Sequence, residues 1–340
     1  MSAPAPFATG ITQFTASRFA LVGYLPTYAA LAYLGALLAA RAPGGGIEVS
    51  LALSRLHRSS GAALAALALG ALLVAVLLHP LQAPLVQLLE GYWPRPARPA
   101  ARCAVKLQER ARRRTARASR AVAARPTEAE EQRILAAAWQ LARSYPPSPV
   151  PLLPTALGNT LRAGEATAGA AYGADAVVWW PRLYPLLGDR VRAVVDDRRD
   201  QLDLACRLSV TAAATGVLSV PLVLGGDGWW PASPAAFLLA AWVAYRAAVA
   251  AARGYAEALS AAFDLHRLDL VTALHLPPPA DSDAERVLNR RLTRFWAQGV
   301  PLTALPYAHE RAHEREHERG REPAAPPPPA PAVPGEDASS

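Results

Sequence analysis

Cysteine, lysine and aromatic residues are scarce in this 340-residue chain. Its two cysteines, Cys103 and Cys206, are too few for a disulfide framework and lack the paired spacing of zinc ligands, so we expect a reducing compartment. Every basic residue except Lys106 is an arginine, and the net charge is +8. Aromatic residues make up 7% of a chain that is 52% hydrophobic, which leaves alanine and leucine to supply most of the apolar surface.

Sequence motifs of common catalytic sites are also missing. The chain has no glycine-rich phosphate loop, no G-x-S-x-G nucleophile elbow and no C-x-x-C pair. We therefore assign no catalytic residue and expect no cofactor. A non-enzymatic protein is the favoured interpretation, and an enzyme stays open as an alternative.

Four long apolar stretches dominate the rest of the sequence. The first, residues 19–40, has 22 residues without a charge, and at about 1.5 Å per residue it reaches ~33 Å, enough to cross the hydrocarbon layer of a bilayer. Residues 61–79, 208–224 and 229–250 are similar, and only Arg246 interrupts the last one. A soluble core of this size does not house four such helices. The sequence therefore predicts an all-α integral membrane protein with four transmembrane helices in two hairpins.

The distribution of arginine predicts the orientation. Of the 35 basic residues, 31 lie in residues 1–18, 80–207 and 252–340, whereas three lie in residues 41–60. Because positively charged flanks stay in the cytoplasm, both termini and the segment between the hairpins are predicted to be cytoplasmic. We therefore predict a multi-pass protein of the plasma (inner) membrane.

These boundaries divide the chain into six predicted segments. Its end is expected to be disordered, because a proline- and charge-rich sequence buries little apolar surface. The segments are a cytoplasmic N-terminus (residues 1–18), a first transmembrane hairpin (19–79), a basic helical cytoplasmic domain (80–207), a second transmembrane hairpin (208–251), a cytoplasmic helical extension (252–307) and a low-complexity tail (308–340).

A strongly basic stretch, residues 95–125, holds eleven basic residues and one acid, Glu109. Near a bilayer each arginine gains about 1 kcal/mol from anionic lipid headgroups, so the membrane surface is the favoured partner. Nucleic acid is disfavoured because the stretch has no aromatic residue on which a base could stack. A protein partner or self-association stays open. The predicted headgroup contacts are Arg110, Arg112, Arg113, Arg114 and Arg117.

The segment at residues 151–191 combines small and polar residues with a dense aromatic and apolar patch at residues 177–187. The patch is too short and too rich in proline to span a bilayer, so it either docks at the membrane interface or packs beneath the helix bundle. The polar residues form a candidate site, although Arg162 and Glu165 also have the i,i+3 spacing of an ordinary helix pair. The candidates are Asn159, Arg162, Glu165, Asp175 and Arg182.

The zinc-protease pattern H-E-x-x-H occurs twice near the C-terminus, at His309–His313 and at His313–His317. On a helix such a pair binds zinc, and the glutamate acts as general base. A working site also needs a third protein ligand in a shielded pocket, whereas here the pattern repeats within a charged, low-complexity tail. We interpret it as an accident of composition and keep His309, His313 and His317 as weak candidates for zinc or nickel binding.

One stretch carries a family resemblance. "PTALGNTLRAGEATAGAAYGADAVVWWPRLYPLL" at residues 154–187, with "LLEGYWP" upstream and "FDLHRLDLVTALHLPPP" downstream, resembles a family of bacterial, mainly actinobacterial, four-span membrane proteins without an assigned activity. The pattern covers about residues 65–300. The resemblance implies the same membrane layout, and it supplies no catalytic residue to carry over.

These features favour a membrane scaffold, sensor or effector subunit that works through its cytoplasmic helical domain. An oligomeric ion channel is one alternative, because two hairpins around a helical insert resemble the layout of bestrophin-type channels and small residues in the spans permit close packing. A membrane-embedded enzyme is another, based on the polar residues between Asn159 and Asp175. A transporter is disfavoured because the hairpins show no internal repeat.

Overall fold

The computed structural model describes residues 26–40, 47–78, 82–120, 127–224, 226 and 228–302. Every regular element within these ranges is helical, so the prediction of an all-α fold is confirmed. The predicted N-terminal segment and the histidine repeat lie outside the described residues. The longer helices are α1 Pro26–Ala39, α2 Val49–Arg58, α3 Gly61–Leu78, α4 Gln82–Glu90, α5 Arg98–Ala118, α6 Glu128–Ser144, α7 Ala156–Thr167, α8 Ala176–Leu183, α9 Asp189–Val223, α10 Ser233–Ala273 and α11 Ser282–Gln298.

Two helices are long and apolar enough to cross a membrane, namely α9 and the helix that runs from Trp230 through α10. A third candidate exists if Ser50–Arg58 and Gly61–Val74, which meet at 108°, are counted as one broken span. The described residues therefore hold two to three candidate spans, and the predicted number of four is not confirmed. One reason is that α1 is apolar but short, since residues 19–25 of the predicted first span lie outside the described ranges.

Helices α9 and α10 pack against each other and form a central hairpin. Small residues allow their close approach, as is typical of helices in membranes. The Ser209 hydroxyl donates to the carbonyl oxygen of Ala241 at 3.0 Å, and Gly216 lies against Leu238. The predicted second hairpin is thus held by close backbone packing together with a hydroxyl-to-backbone hydrogen bond.

Both central helices continue well beyond their apolar stretches. Helix α9 has 35 residues and α10 has 41, which at about 1.5 Å per residue gives lengths of roughly 52 and 62 Å. Since the hydrocarbon core of a bilayer is about 30 Å thick, each helix is roughly 20–30 Å longer than a span requires. Helices α4, α7 and α8 pack on these extensions, and α11 packs on α8. We call this assembly, residues 82–207 and 252–302, the helical body.

The aromatic patch at residues 177–187 packs inside the helical body. Trp179 and Leu183 of α8 are fully buried in one apolar cluster with Phe263 of α10. The Trp179 ring centroid lies 6.5 Å from that of Phe263 and 5.4 Å from that of Trp296. The face of α8 that carries Trp179 and Leu183 therefore packs beneath the bundle against α10 and α11, whereas Val177 and Leu186 of the same patch are exposed.

Helix α11 closes the helical body over α8 through polar contacts as well as apolar ones. Each contact joins α11 to a different neighbour, so the helix is fixed along its length. The contacts run from Arg267 Nε to Glu285 Oε1 at 2.7 Å, from Asn289 Nδ2 to the carbonyl oxygen of Tyr172 at 2.9 Å, and from Trp179 Nε1 to Thr293 Oγ1 at 2.9 Å.

Helices α5 and α6 form a hairpin at the edge of the body. The backbone N–H of Thr127 donates to Oε2 of Glu130 at 2.8 Å, which satisfies one of the donors at the start of α6. An ion pair between Arg143 and Glu257 ties α6 to α10. Helix α5 has no buried residue, so the basic helix presents its charges to the surroundings.

Candidate functional site

A cavity of about 240 Å³ lies in the helical body where α4, α7 and α8 meet α9 and α10. Its wall combines two carboxyl groups, one guanidinium group, two aromatic rings and several aliphatic side chains. We call it the two-glutamate cavity. The lining residues that bear on its chemistry are Glu90, Glu165, Trp180, Arg199, Leu202 and Tyr255.

A close backbone contact positions Glu90, the last residue of α4. The Thr155 hydroxyl donates to the carbonyl oxygen of Glu90 at 2.7 Å and accepts from the N–H of Gly158 at 3.1 Å. Gly158 passes so near this carbonyl that a Cβ there would lie 1.9 Å from the oxygen. The missing side chain at Gly158 therefore lets the end of α4 rest on the first turn of α7, which places Glu90 at the cavity.

Two side chains hold the start of α7. Asn159 is 0% exposed; it accepts from the N–H of Leu153 at 2.8 Å and donates to the carbonyl oxygens of Leu153 and Thr155, both at 2.9 Å. The Tyr245 hydroxyl oxygen accepts from the first two N–H groups of α7 at 3.1 and 3.2 Å, which a helix start otherwise leaves unpaired. Asn159, a predicted polar-site residue, thus fixes the loop that precedes α7.

The carboxylates of Glu90 and Glu165 line the cavity without a bonded partner. Neither makes a hydrogen bond or an ion pair with any residue in the described part of the chain. Burial raises the pKa of Glu90, and the charge of Glu165 raises it further. Burial also raises the pKa of Glu165; Arg162 opposes this shift and Asp175 adds to it. Each carboxyl therefore keeps its proton to a higher pH than a free glutamate does.

The positive charge in the cavity wall belongs to Arg199 of α9, which is already engaged. Its Nε lies 3.4 Å from Oδ1 of Asp203, one turn further along the helix, and its Cζ lies 5.6 Å from the centroid of the Tyr255 ring. Trp180 and Tyr255 are half-buried, and Leu202 is 1% exposed. The cavity thus offers an aromatic and aliphatic interior with free carboxylate acceptors.

Three residues predicted for a polar site make their contacts elsewhere. Arg162 donates to a backbone carbonyl of the preceding loop at 2.7 Å, and Asp175 caps α8 by accepting from two backbone N–H groups at 3.0 and 3.4 Å. The Cζ of Arg182 lies 4.6 Å from the centroid of the Trp296 ring. Of the five predicted residues, only Glu165 lines the cavity, so the structure does not bring the predicted set together.

Sequence reasoning missed Glu90 and Arg199 as members of the site. A signal for Glu90 exists, because it is the only acid between Glu48 and Glu109 and it ends an apolar helical stripe. Arg199 stands in "DDRRDQLD", where acids and bases alternate too closely to mark one residue. Only the packing of α9 beside α4, with α7 packed on α4 and α10, brings it to the carboxyl groups.

A second cleft, of about 360 Å³, lies between α6, α7 and α10. Its charged groups have partners within the protein, since Arg143 pairs with Glu257 and Arg253 donates to the Ser144 hydroxyl at 3.4 Å. It therefore offers a ligand fewer free groups than the two-glutamate cavity does.

The arginines predicted to contact lipid headgroups all lie on α5, away from the two-glutamate cavity. In the described ranges, no group of three or more His, Cys, Asp or Glu side chains could hold a metal ion, and the three candidate histidines of the tail fall outside those ranges. Four of the α5 arginines are exposed, namely Arg110, Arg113, Arg114 and Arg117, and Arg112 is half-buried.

Comparison with known proteins supplies no template for the site. No protein-family model, curated protein or solved structure matches this chain. The resemblance of residues 154–187 to actinobacterial membrane proteins therefore stays a prediction, and no residue role is carried over from a relative.

Proposed function

We propose that the protein is a four-span protein of the plasma membrane, with both termini in the cytoplasm, and that it acts without catalysis as a sensor, scaffold or effector subunit. In this arrangement the helical body lies in the cytoplasm and recognises a protein partner or a second copy of the chain. Helix α5 rests on anionic headgroups, where each arginine contributes about 1 kcal/mol.

One observation carries the proposal: α9 and α10 run without a break from their apolar stretches into the helical body. The proline inside α9, Pro221, lies at the far end of that helix from the body, and α10 has no proline beyond its first turn. Sharp helix kinks almost always need such an interruption. A shift of one span against the other is therefore carried directly to the cavity wall, which Arg199 and Tyr255 supply from these same helices.

Affinity capture from membranes tests the proposal. Two differently tagged copies of the full chain are expressed together at native level, cross-linked in the membrane and extracted in mild detergent. We expect the chain to come out with a second copy or with a defined second protein, and the two tags distinguish these cases. A chain that is recovered alone, as a monomer, contradicts the proposal. A ring of copies that conducts ions in a planar bilayer would instead support the channel alternative.

A further inference from the structure

We infer that the two-glutamate cavity binds a small organic cation, an ammonium group that carries a compact apolar part. The inference names the class of ligand that the proposed sensor would detect, and in that respect it rests on the proposed function. Binding to the purified protein and capture of a partner are separate measurements, so either can fail while the other succeeds.

The balance of charge in the cavity favours a cation. Glu90 and Glu165 contribute two carboxyl groups that form no hydrogen bond or ion pair within the described residues. The single guanidinium of the lining, Arg199, acts to lower the pKa of both carboxyls, but it also pairs with Asp203 and lies over Tyr255. Glu90 is half-buried and Glu165 is exposed at the edge of the cavity, and a carboxylate that is partly withdrawn from water needs donors to replace the hydration it loses. An ammonium group supplies three such donors and forms charge-assisted hydrogen bonds with carboxylates.

The rest of the wall favours an apolar part on the same ligand. The rings of Trp180 and Tyr255 line the cavity, and Leu202 and Leu259 are buried beside them. The volume of about 240 Å³ is below the range of roughly 300–1,000 Å³ typical of pockets for drug-sized ligands. The ligand is therefore small, of the size of an arylalkylamine or of the headgroup of an aminolipid.

Proton release accompanies binding in this scheme. The pKa values of Glu90 and Glu165 are raised, so each carboxyl holds its proton to a higher pH than a free glutamate does. A bound ammonium group stabilises the ionised form, so each protonated carboxyl loses its proton to solvent as the cation enters. No covalent bond forms or breaks other than these O–H bonds.

Calorimetric titration of the full chain in phosphatidylglycerol nanodiscs tests the inference, with empty nanodiscs as the blank. The probes are phenethylamine, 2-phenylethanol and 3-phenylpropanoate, which share a ring and differ in charge. We expect the amine to bind at least tenfold more tightly than the alcohol, and the carboxylate not to bind. Glu90→Gln and Glu165→Gln should each weaken amine binding at least tenfold, whereas Glu131→Gln, an exposed carboxyl on α6, should leave it unchanged.

The pH dependence provides a second measurement, which needs no variant. Amine affinity of the unaltered chain should fall as pH is lowered through the raised pKa range of the two carboxyls. Equal binding of the alcohol, tighter binding of the carboxylate, or a flat pH profile of the unaltered chain overturns the inference. Repeating the titration in phosphatidylethanolamine nanodiscs identifies the source: competition indicates a lipid headgroup as occupant, and unchanged affinity indicates a free amine.

Discussion

At Gly158 the first turn of α7 passes within contact distance of the carbonyl oxygen of Glu90. We expect Gly158→Ala to destabilise the protein by at least about 1–3 kcal/mol, the usual cost of overpacking, because the obstacle is backbone and cannot rotate away. Thermal unfolding in detergent measures the effect. Gly70→Ala is the matched control, since no atom lies within 4 Å of the added methyl group; equal melting temperatures for the two variants would contradict the close contact.

Glu165 makes a pH-dependent contribution to stability. Its pKa is raised in the folded protein from the usual value of 4.5, so as pH rises through the interval between the two values the unfolded chain loses its proton first and unfolding becomes easier. Glu165→Gln removes this titration. We expect the variant to melt above the unaltered protein at neutral pH.

The size of this difference in melting temperature should depend on pH in a defined way. It should vanish below about pH 4.5, where Glu165 is protonated in both the folded and the unfolded state. Melting curves collected from acid to neutral pH check this, and a difference that stays constant across the range would argue against a raised pKa.

At the scale of elements, the junction of α8 with α11 depends on a buried indole. Nε1 of Trp179 donates to the Thr293 hydroxyl at 2.9 Å, and Trp179 is 0% exposed. Thr293→Val keeps the shape and leaves the indole N–H unpaired, so we expect a loss of about 1–3 kcal/mol in unfolding free energy. Thr272→Val is the control, because that exposed hydroxyl bonds only to the carbonyl oxygen of Leu268 in its own helix.

Helix α5 is the element that we expect to lie on the membrane surface. A fluorophore on the exposed Cys103 reports its depth through quenching by headgroup-linked quenchers in anionic nanodiscs. Replacing the five arginines of α5 that are predicted to contact headgroups by glutamine should reduce quenching. Raising the salt from 0.15 to 1 M should do the same, because it shortens the Debye length from about 8 to about 3 Å.

A control on folding accompanies the α5 experiment. Helix α5 has no buried residue, so the five substitutions should leave thermal unfolding of the protein unchanged. If the unaltered protein and the variant with five substitutions were quenched equally, in neutral as in anionic nanodiscs, α5 would lie away from the headgroups. The five substituted residues are Arg110, Arg112, Arg113, Arg114 and Arg117.

At the scale of the whole molecule, the two native cysteines report topology. Cys103 is exposed and Cys206 is buried, so a membrane-impermeant maleimide has one accessible target among the described residues. We expect labelling of Cys103 in inside-out vesicles and none in intact cells. Labelling of intact cells would place α5 outside and reverse the predicted orientation. Cys206 should react only after denaturation, which serves as the internal control.

Local properties of the chain were enough to predict its all-α class and its candidate membrane helices. Helix periodicity and the length of apolar runs depend on residues within a few turns of each other, so they are recognisable without knowledge of the tertiary packing. The predicted count of four spans is not confirmed, because the described residues hold two candidate spans, or three if the helices that meet at the 108° bend are counted as one.

Only the tertiary structure decided which charged side chains line a common cavity. Glu90, Glu165 and Arg199 stand on three helices far apart in sequence, and the contact of Gly158 with the end of α4 brings the first two together. Asn159 and Asp175 serve the fold through local contacts, as the clamp of the loop before α7 and the cap of α8, whereas Arg182 meets the ring of Trp296 on a distant helix. A polar side chain serves the fold or a ligand according to the partners it meets. For Glu90, Glu165 and Arg199 those partners are set by tertiary packing, because side chains from helices distant in sequence share one cavity.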